Sequence, residues 1–575
     1  MALRGLRRLS AILSGLLVLR AGAQDTWCGK VYNGTAQIIP GGFLTEPETS
    51  QTPLLDVQVI PRHSIYVSSE ASAEIIVDAA LSSYHGSPYL GAASVASNAS
   101  DTFTFTVSVA GVDLFSATVG VNTTDNLFRF SVSQLAPSTT AYPVALTGST
   151  KSGNYSASSE LFYLPDKANG SVVKIDRLYR SILYRSNNTD GVFKPYLPYG
   201  YYGSYSGYFD EVGNPTVFRD RGFNALNPVT DFSDGDMTYT IDEMDGIDLL
   251  WQYDMRNSFQ NLTSVAAQIP LVKDHPSLLS YYTADEPDGW GYTFNSTTNV
   301  YDLVAALDRY HPTALVLNCQ NYYFHEYSAG ADILMQDAYP VGINATFSTK
   351  WDTPVNLTYG DSGCDNCVGS YNLLNVPQRI DDFQQYARWI GGAETVRKPI
   401  WAVPQAFSGE DYWSRDPTAA EAWAMDLLAF NHGAKGRLAW IYPPSAVLAN
   451  ATAALARVVT ASPVVDYLTG AHPVLVSRGR VAGKGGDSSD ALDVAYWAKE
   501  SEDGGGAAGV LVGVVNPANA TVSQAVVLPS GLGVSAVSSQ PWGNVSWSFD
   551  AATGVLTPLG GGGVPAKGTS YVILE

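Results

Sequence analysis

Cysteine, methionine and histidine are scarce, at four, six and seven in 575 residues. So few cysteines cannot frame a chain of this length, and its stability has to come from an apolar core, with any bridges acting as local staples. Cys364 and Cys367 lie close together in a Gly/Asp/Asn loop and are expected to pair, because no second Cys or His pair follows to complete a zinc site. Cys28 and Cys319 then remain for another bridge, although four cysteines allow three connectivities. Basic residues are also few: 33 Lys and Arg stand against 54 Asp and Glu, a formal net charge of -21. Binding nucleic acid needs clustered cations to displace counterions, so a nucleic-acid partner is excluded and a neutral or cationic substrate is favoured. No stretch reaches the roughly 20 apolar residues of a membrane helix. The last residues, Tyr571 to Glu575, read as a final strand, not as the hydrophobic tail of a lipid anchor.

What is present first is an address. Arg4, Arg7 and Arg8 precede an apolar run from Leu9 to Leu19 and then Ala21, Gly22 and Ala23, which predicts a secretory signal over 1–23 and an extracellular protein. Thirteen Asn-x-Ser/Thr sequons follow, at Asn33, Asn98, Asn122, Asn154, Asn169, Asn187, Asn261, Asn295, Asn344, Asn356, Asn450, Asn519 and Asn544. In a secreted chain they mark glycosylated surface loops.

The texture of the chain changes twice. Residues 24–165 alternate in short β-rich runs, such as Thr102 to Val109, and predict an N-terminal sandwich; 466–575 repeat that texture as a C-terminal sandwich. Between them, over 166–465, apolar β-runs alternate with helical stretches, the pattern of parallel strands joined by crossover helices. Eight such strands can be counted: Tyr196 to Tyr202, Phe223 to Pro228, Asp248 to Tyr253, Leu278 to Ala284, Ala314 to Asn318, Ile333 to Ala338, Ile400 to Gln405 and Leu438 to Tyr442. The expected fold class is therefore α/β, a closed (β/α)8 barrel flanked by two β-sandwiches.

Chemistry in such a barrel sits at the C-terminal ends of its strands. Those ends carry Tyr201, Asn227, Trp251, Tyr253, Asp254, Asp285, Glu286, Trp290, Asn318, Asp337, Tyr339, Gln405, Trp440 and Tyr442. Acids ringed by Trp, Tyr, Asn and Gln suit a sugar: aromatic faces cover pyranose C–H faces, amides bind hydroxyls, and carboxyls move protons. No clustered His or Cys set, nucleophile elbow or phosphate loop appears at these ends, so no metal or cofactor is expected and the expected partner is a carbohydrate.

Leu278-Leu-Ser-Tyr-Tyr-Thr-Ala-Asp-Glu-Pro-Asp288 resembles the fourth-strand signature of clan A glycoside hydrolases. Arg415 to Thr418 followed by Ala429 to Trp440 is similar to the segment leading into the eighth strand of such barrels, and the flanking sandwiches resemble those of secreted fungal glycosidases. The resemblance implies a (β/α)8 glycosidase with Glu286 as acid/base. Two positions depart from it: Asp285 stands where the family usually has Asn, and Gln405 where its nucleophilic Glu is expected.

The second carboxylate therefore has to come from the residues themselves. Asp337 is the first choice, Asp285 the second and Asp254 the third, with Glu410 or Asp411 available from a loop. Plainer readings stand beside these. Glu286 as a helix cap, Asp337 as a partner of Arg256 or a neighbouring Lys, and Trp440 and Tyr442 as barrel filling would each be structural. A carbohydrate-binding protein that has lost turnover and a transglycosylase are the rival functions.

Overall fold

The computed structural model describes residues 26–32, 42–91, 101–230, 236–356, 359–361, 363–364, 372–479, 492–500 and 507–575. The expected leader, Asn33, Asn98 and Cys367 lie outside them; the other eleven sequon asparagines are all exposed.

Eight parallel strands close a barrel in sequence order: β1 Tyr199–Gly203, β2 Ala225–Pro228, β3 Leu250–Asp254, β4 Leu278–Asp285, β5 Thr313–Leu317, β6 Ile333–Gln336, β7 Ile400–Ala402 and β8 Arg437–Tyr442. Each is followed by a helix: α1 Asn214–Asp220, α2 Thr238–Gly246, α3 Leu262–Val272, α4 Asn295–Leu307, α5 Phe324–Ser328, α6 Asn375–Ile390, α7 Ala419–Asn431 and α8 Ala446–Val459. The chain is thus a (β/α)8 barrel with flanking β-sandwiches.

Side chains alternate in direction along a strand, so each strand feeds two cores. Inward residues such as Tyr202, Leu250, Leu279, Tyr282, Val316, Met335 and Trp401 fill the barrel. They share their cluster with Val173, Ile175, Ile182 and Tyr184, which belong to a three-stranded sheet of Val172–Asp176, Ser181–Arg185 and Lys194–Tyr196. Outward residues such as Tyr199, Tyr201, Trp251, Tyr253 and Leu278 pack against the helices. α7 begins with a capping box, Thr418 accepting from the Glu421 N–H while the Glu421 carboxylate accepts from Thr418 N–H.

The N-terminal sandwich pairs two four-stranded antiparallel sheets around Val59, Ile75, Val77, Phe103, Phe105, Val107 and Leu146. Its strand Thr102–Val109 buries Phe103, Phe105, Val107 and Val109 and leaves the intervening Thr and Ser outward, a period of two that follows from the pleat. The C-terminal unit pairs a five-stranded with a three-stranded sheet over Val494, Val512, Trp547 and Leu556. No single described helix is long and apolar enough to cross a membrane.

Buried acids in this framework have dedicated partners. Arg437 bonds Asp426 at 3.1 Å and the Gly200 carbonyl at 2.6 Å, tying β8 to α7 and β1. Arg397 bridges to Asp78 and Asp125 of the N-terminal sandwich at 2.7 and 2.8 Å. His432, just past α7, joins Asp381 of α6 to Asp493 of the C-terminal sheet, 2.9 Å from each. His311 is likewise satisfied, by Asp308 at 2.6 Å and Ser171 at 2.9 Å, and His325 is exposed.

Burial works to lower the His432 pKa, but its bonds to Asp381 and Asp493 outweigh that and lift it from 6.5 to about 9. A pKa raised on folding adds stability that is complete below the unfolded value and is lost as pH rises through the folded one. Stability should therefore fall as pH climbs from 6.5 to about 9, with this group contributing on the order of 3 kcal/mol. In His432→Gln that part of the slope should vanish. Denaturant titrations of both proteins at about pH 6 and about pH 10 check this; parallel losses in the two would refute it.

Candidate active site

β4 runs directly into Glu286, whose N–H still donates to the Val316 carbonyl of β5 at 3.2 Å. Its φ of 47° is left-handed, a conformation that costs a residue with a Cβ on the order of 1–3 kcal/mol unless the surroundings impose it. Pro287 follows, and the Trp290 N–H returns to the Glu286 carbonyl at 3.1 Å, closing the turn. This turn brings the Glu286 side chain to Asp337, just past the end of β6, close enough for the two carboxyl groups to perturb each other's ionisation.

Two buried carboxyls this close cannot both be ionised at neutral pH. Burial, then the charge of Asp337, then Asp285 and Asp288 push the Glu286 pKa well above its ordinary value. Asp337 is also raised by burial, but it has help: the Asn318 amide donates to both its oxygens at 3.4 Å, and the Arg379 charge of α6 is nearby. Donors and a cation on one member, acids around the other, place the shared proton on Glu286 and the charge on Asp337.

Asp285 and Asp254 are otherwise engaged. Arg256 lies between them, Nη1 donating to Asp285 Oδ2 at 2.8 Å and Nε to Asp254 Oδ2 at 2.9 Å. Its guanidinium lies 5.3, 5.1 and 5.1 Å from the rings of Tyr202, Tyr282 and Trp440. Tyr282 also donates to Asp285. The alternative partnership of Arg256 with Asp337 does not occur; this cation serves Asp254 and Asp285. Burial still lifts Asp254 to about 6. The Asn227 amide sits 2.9 Å from both Gln252 Oε1 and Asp254 Oδ2, inside the barrel wall.

Asp288 is a brace. It is pushed up to about 7 by burial, yet its carboxylate accepts the N–H groups of Gly289, Asn318 and Cys319 at 3.0, 3.3 and 2.8 Å, locking the loop after β4 to the end of β5.

Of the aromatic residues expected at the mouth, Trp440, Tyr339 and Trp290 are there. Trp440 flanks Arg256, Tyr339 is near enough to Asp337 and Glu286 to feel both charges, and Trp290 is 41% exposed on the rim. Tyr201, Trp251, Tyr253 and Tyr442 are not. Each is buried on the outer side of the barrel: Tyr201 bonds Thr452 of α8 at 2.7 Å, Tyr253 donates to Gln268 of α3 at 2.6 Å, and Trp251 packs on His275. Tyr442 is enclosed by Phe209, Phe218 and Phe223. The pleat sends them to the helical layer, where a sugar cannot reach.

Gln405 is corrected in a different way. It is 1% exposed and clamps the main chain, accepting from Val341 N–H at 2.9 Å and donating to the Val341 and Phe407 carbonyls at 3.0 and 3.1 Å, so both its N–H donors are already used and the side chain is buried away from a ligand. Glu410 and Asp411 are exposed on the loop beyond β7.

Three contributors escaped the sequence reading: Arg379, Tyr282 and Trp27. Trp27 reaches the site because Cys28 is bonded to Cys319, with a Cα–Cα distance of 5.3 Å. Had that pairing been settled, Trp27 would have been placed beside Asn318. Among the described residues no group of three or more His, Cys, Asp or Glu is arranged to hold a metal. The larger cavities described lie elsewhere, one of about 590 Å³ on the Ser/Thr-rich outer face of the N-terminal sandwich and one of about 340 Å³ between α7 and the C-terminal unit, at Trp423 and Trp542. Neither holds such an acid pair, so chemistry rather than volume marks the site.

No family model matches the chain. No curated protein matches it either. Among solved structures it is similar to an FMN-binding β-glucuronidase from Facaelibacterium prausnitzii L2-6, at 9% identity over 82% of this chain and 72% of that one, with a TM-score of 0.34. A putative β-galactosidase from Bacteroides fragilis is similar at 11% identity over 81% and 73%, TM-score 0.34. A β-glucuronidase from Parabacteroides merdae is similar at 10% identity over 92% and 75%, TM-score 0.32. Likenesses this loose carry no functional argument; the acid pair has to carry it.

A carboxyl whose pKa is raised on folding favours the folded state at low pH and penalises it as pH rises above the unfolded value, here 4.5 for Glu286. Glu286→Gln removes the penalty. Its Tm should exceed that of the parent at about pH 8, with the gap shrinking toward about pH 4.5. Calorimetry across that range decides; a variant less stable at the alkaline end would contradict the assignment.

Proposed function

We propose that this chain is a secreted, N-glycosylated glycoside hydrolase whose acid/base is Glu286 and whose nucleophile is Asp337. The observation that carries this is the acid pair itself, one member holding a proton and the other a charge at the ends of β4 and β6. A glycosidase needs that division of labour. Trp290, Trp440 and Tyr339 supply the aromatic faces beside it. The leader-like N-terminus and eleven exposed sequons support the extracellular reading.

Inverting enzymes hold their carboxyls about 6.5–9.5 Å apart to seat a water, and retaining ones about 5 Å. A pair whose ionisations are this strongly linked suits the second case better than the first. Substrate lies against both groups, its glycosidic oxygen meeting the Glu286 proton and its anomeric carbon meeting Asp337. Glu286 gives its proton to the departing oxygen as the Asp337 carboxylate forms an ester to the anomeric carbon. Ionised Glu286 then takes a proton from water, whose oxygen displaces Asp337, restoring both acids and releasing the sugar with its configuration retained.

The same residues indicate the substrate class. Asp254, Asp285, Glu286, Asp288 and Asp337 converge at the mouth against Arg256 and Arg379, and Arg256 is already held by two of the acids. A uronic acid would meet surplus negative charge, and among the described residues Arg256 is held by two acids and Arg379 by the Asn318 carbonyl, so the substrate should be a neutral or cationic glycan.

A panel of chromogenic glycosides, with proton NMR of the first-formed anomer, tests this. Expected are release from neutral or amino sugars but not glucuronides, retention, and a 100- to 10,000-fold loss of turnover in Glu286→Gln, about what general acid catalysis contributes. Binding to glycan arrays without release from any glycoside would instead support a non-catalytic carbohydrate-binding protein. Inversion would remove Asp337 as nucleophile.

A further inference from the structure

We propose that Trp27, far from the barrel in sequence, is a positioning residue for the acid pair: its indole N–H fixes the Asn318 amide so that the amide nitrogen faces Asp337. The inference deepens the hydrolase reading, and its rate measurements rest on that reading.

The geometry is a relay. Trp27 Nε1 donates to Asn318 Oδ1 at 3.0 Å, and Asn318 Nδ2 donates to Asp337 Oδ1 and Oδ2 at 3.4 Å. The Asn318 main-chain carbonyl is taken by Arg379. An amide has one acceptor end and one donor end, so a donor on the oxygen side forces the N–H side toward the carboxylate. Without the indole N–H the amide oxygen loses its donor, only the Asp337 carboxylate is left to orient the amide, and the long N–H bonds to Asp337 loosen.

Trp27 is held for this purpose by a strap. The hairpin of Thr26–Trp27 with Lys30–Val31 is tied to the residue after Asn318 by the Cys28–Cys319 bridge. Its far end is fixed by the Gly360 N–H to the Val31 carbonyl at 2.6 Å and by Thr353 Oγ1 to the Tyr32 carbonyl at 3.0 Å. The indole ring lies on Gly289, where a Cβ would come within 2.4 Å of it, and meets Trp290 edge-on at 5.2 Å. Any residue but glycine at 289 would push the ring off Asn318.

The charged and titratable groups around the pair are Asp285, Glu286 and Asp288 from β4 and its loop, Arg379 from α6, Arg256 beyond Asp285, and Tyr339 after β6. None of them is altered by Trp27→Phe, which keeps the ring and loses only the N–H. The acidic limb of the kcat/KM profile, set by Asp337 ionising, should then move up by on the order of one pH unit. Replacing both Cys28 and Cys319 by Ser, which removes this bridge alone, should move it the same way.

Infrared titration of the protonated-carboxyl band in substrate-free protein reads the same shift without turnover. A chain that hydrolyses no glycoside but shows the band shift would sink the hydrolase reading and leave the relay standing. Unchanged limb and band in Trp27→Phe, or an activity loss equal at every pH, would overturn the relay and reduce Trp27 to packing.

Discussion

The mutual repulsion of Glu286 and Asp337 is the constraint to which the neighbouring structure answers. Two acids buried together repel unless they share a proton, and a shared proton leaves one charge that still needs donors. β5 supplies them because it lies between β4 and β6 in the barrel order, so the residue at its end, Asn318, stands beside Asp337. The left-handed turn at Glu286, Asp288 bracing that turn to β5, and Arg379 reaching in from α6 all serve the same placement. Closing the barrel brings these ends to one rim; a flat sheet would spread them.

Elsewhere in the described residues, several buried acids meet bases of their own, as Asp426 meets Arg437, Asp78 meets Arg397, and Asp493 meets His432. The mouth departs from that pattern. Five acids crowd against two arginines, and only part of the surplus is absorbed by protonation and by backbone N–H groups. Such crowding lowers stability above the carboxylate range, and its retention at a rim of exposed and half-buried aromatics is a sign of function rather than of framework.

The barrel was legible because a parallel sheet covered by helices leaves long apolar runs at regular spacing, and β4, β5 and β8 fall within a residue or so of the runs that predict them. Glu286 and Asp337 were legible because strand ends face the mouth. Aromatic residues at those ends were not sorted correctly, since one residue of register decides between mouth and helical layer. Tyr201 and Tyr202 are adjacent, yet the first packs on Phe223 and the second on Trp440. Composition cannot tell them apart; only the register of the closed sheet does. Gln405 was misjudged for another reason: an amide at a strand end serves backbone as readily as sugar, and here the strand stops three residues earlier, at Ala402, leaving carbonyls to be held.

Trp27 shows a limit of another kind, because 291 residues separate the two cysteines that bring it home. Its arrival also bears on the chemistry. A carboxylate poised by a neutral amide and the nearby Arg379 charge, rather than by a direct ion pair, keeps most of its charge for an electrophile. Had Arg256 bonded Asp337 instead of Asp254 and Asp285, the carboxylate would be easier to ionise and a poorer partner for a developing oxocarbenium ion. The structure commits its near cation to Asp254 and Asp285 and leaves Asp337 the long 3.4 Å bonds of Asn318. In the proposed hydrolase, that division would favour a positive transition state over a neutral ground state, the differential binding that glycoside cleavage requires.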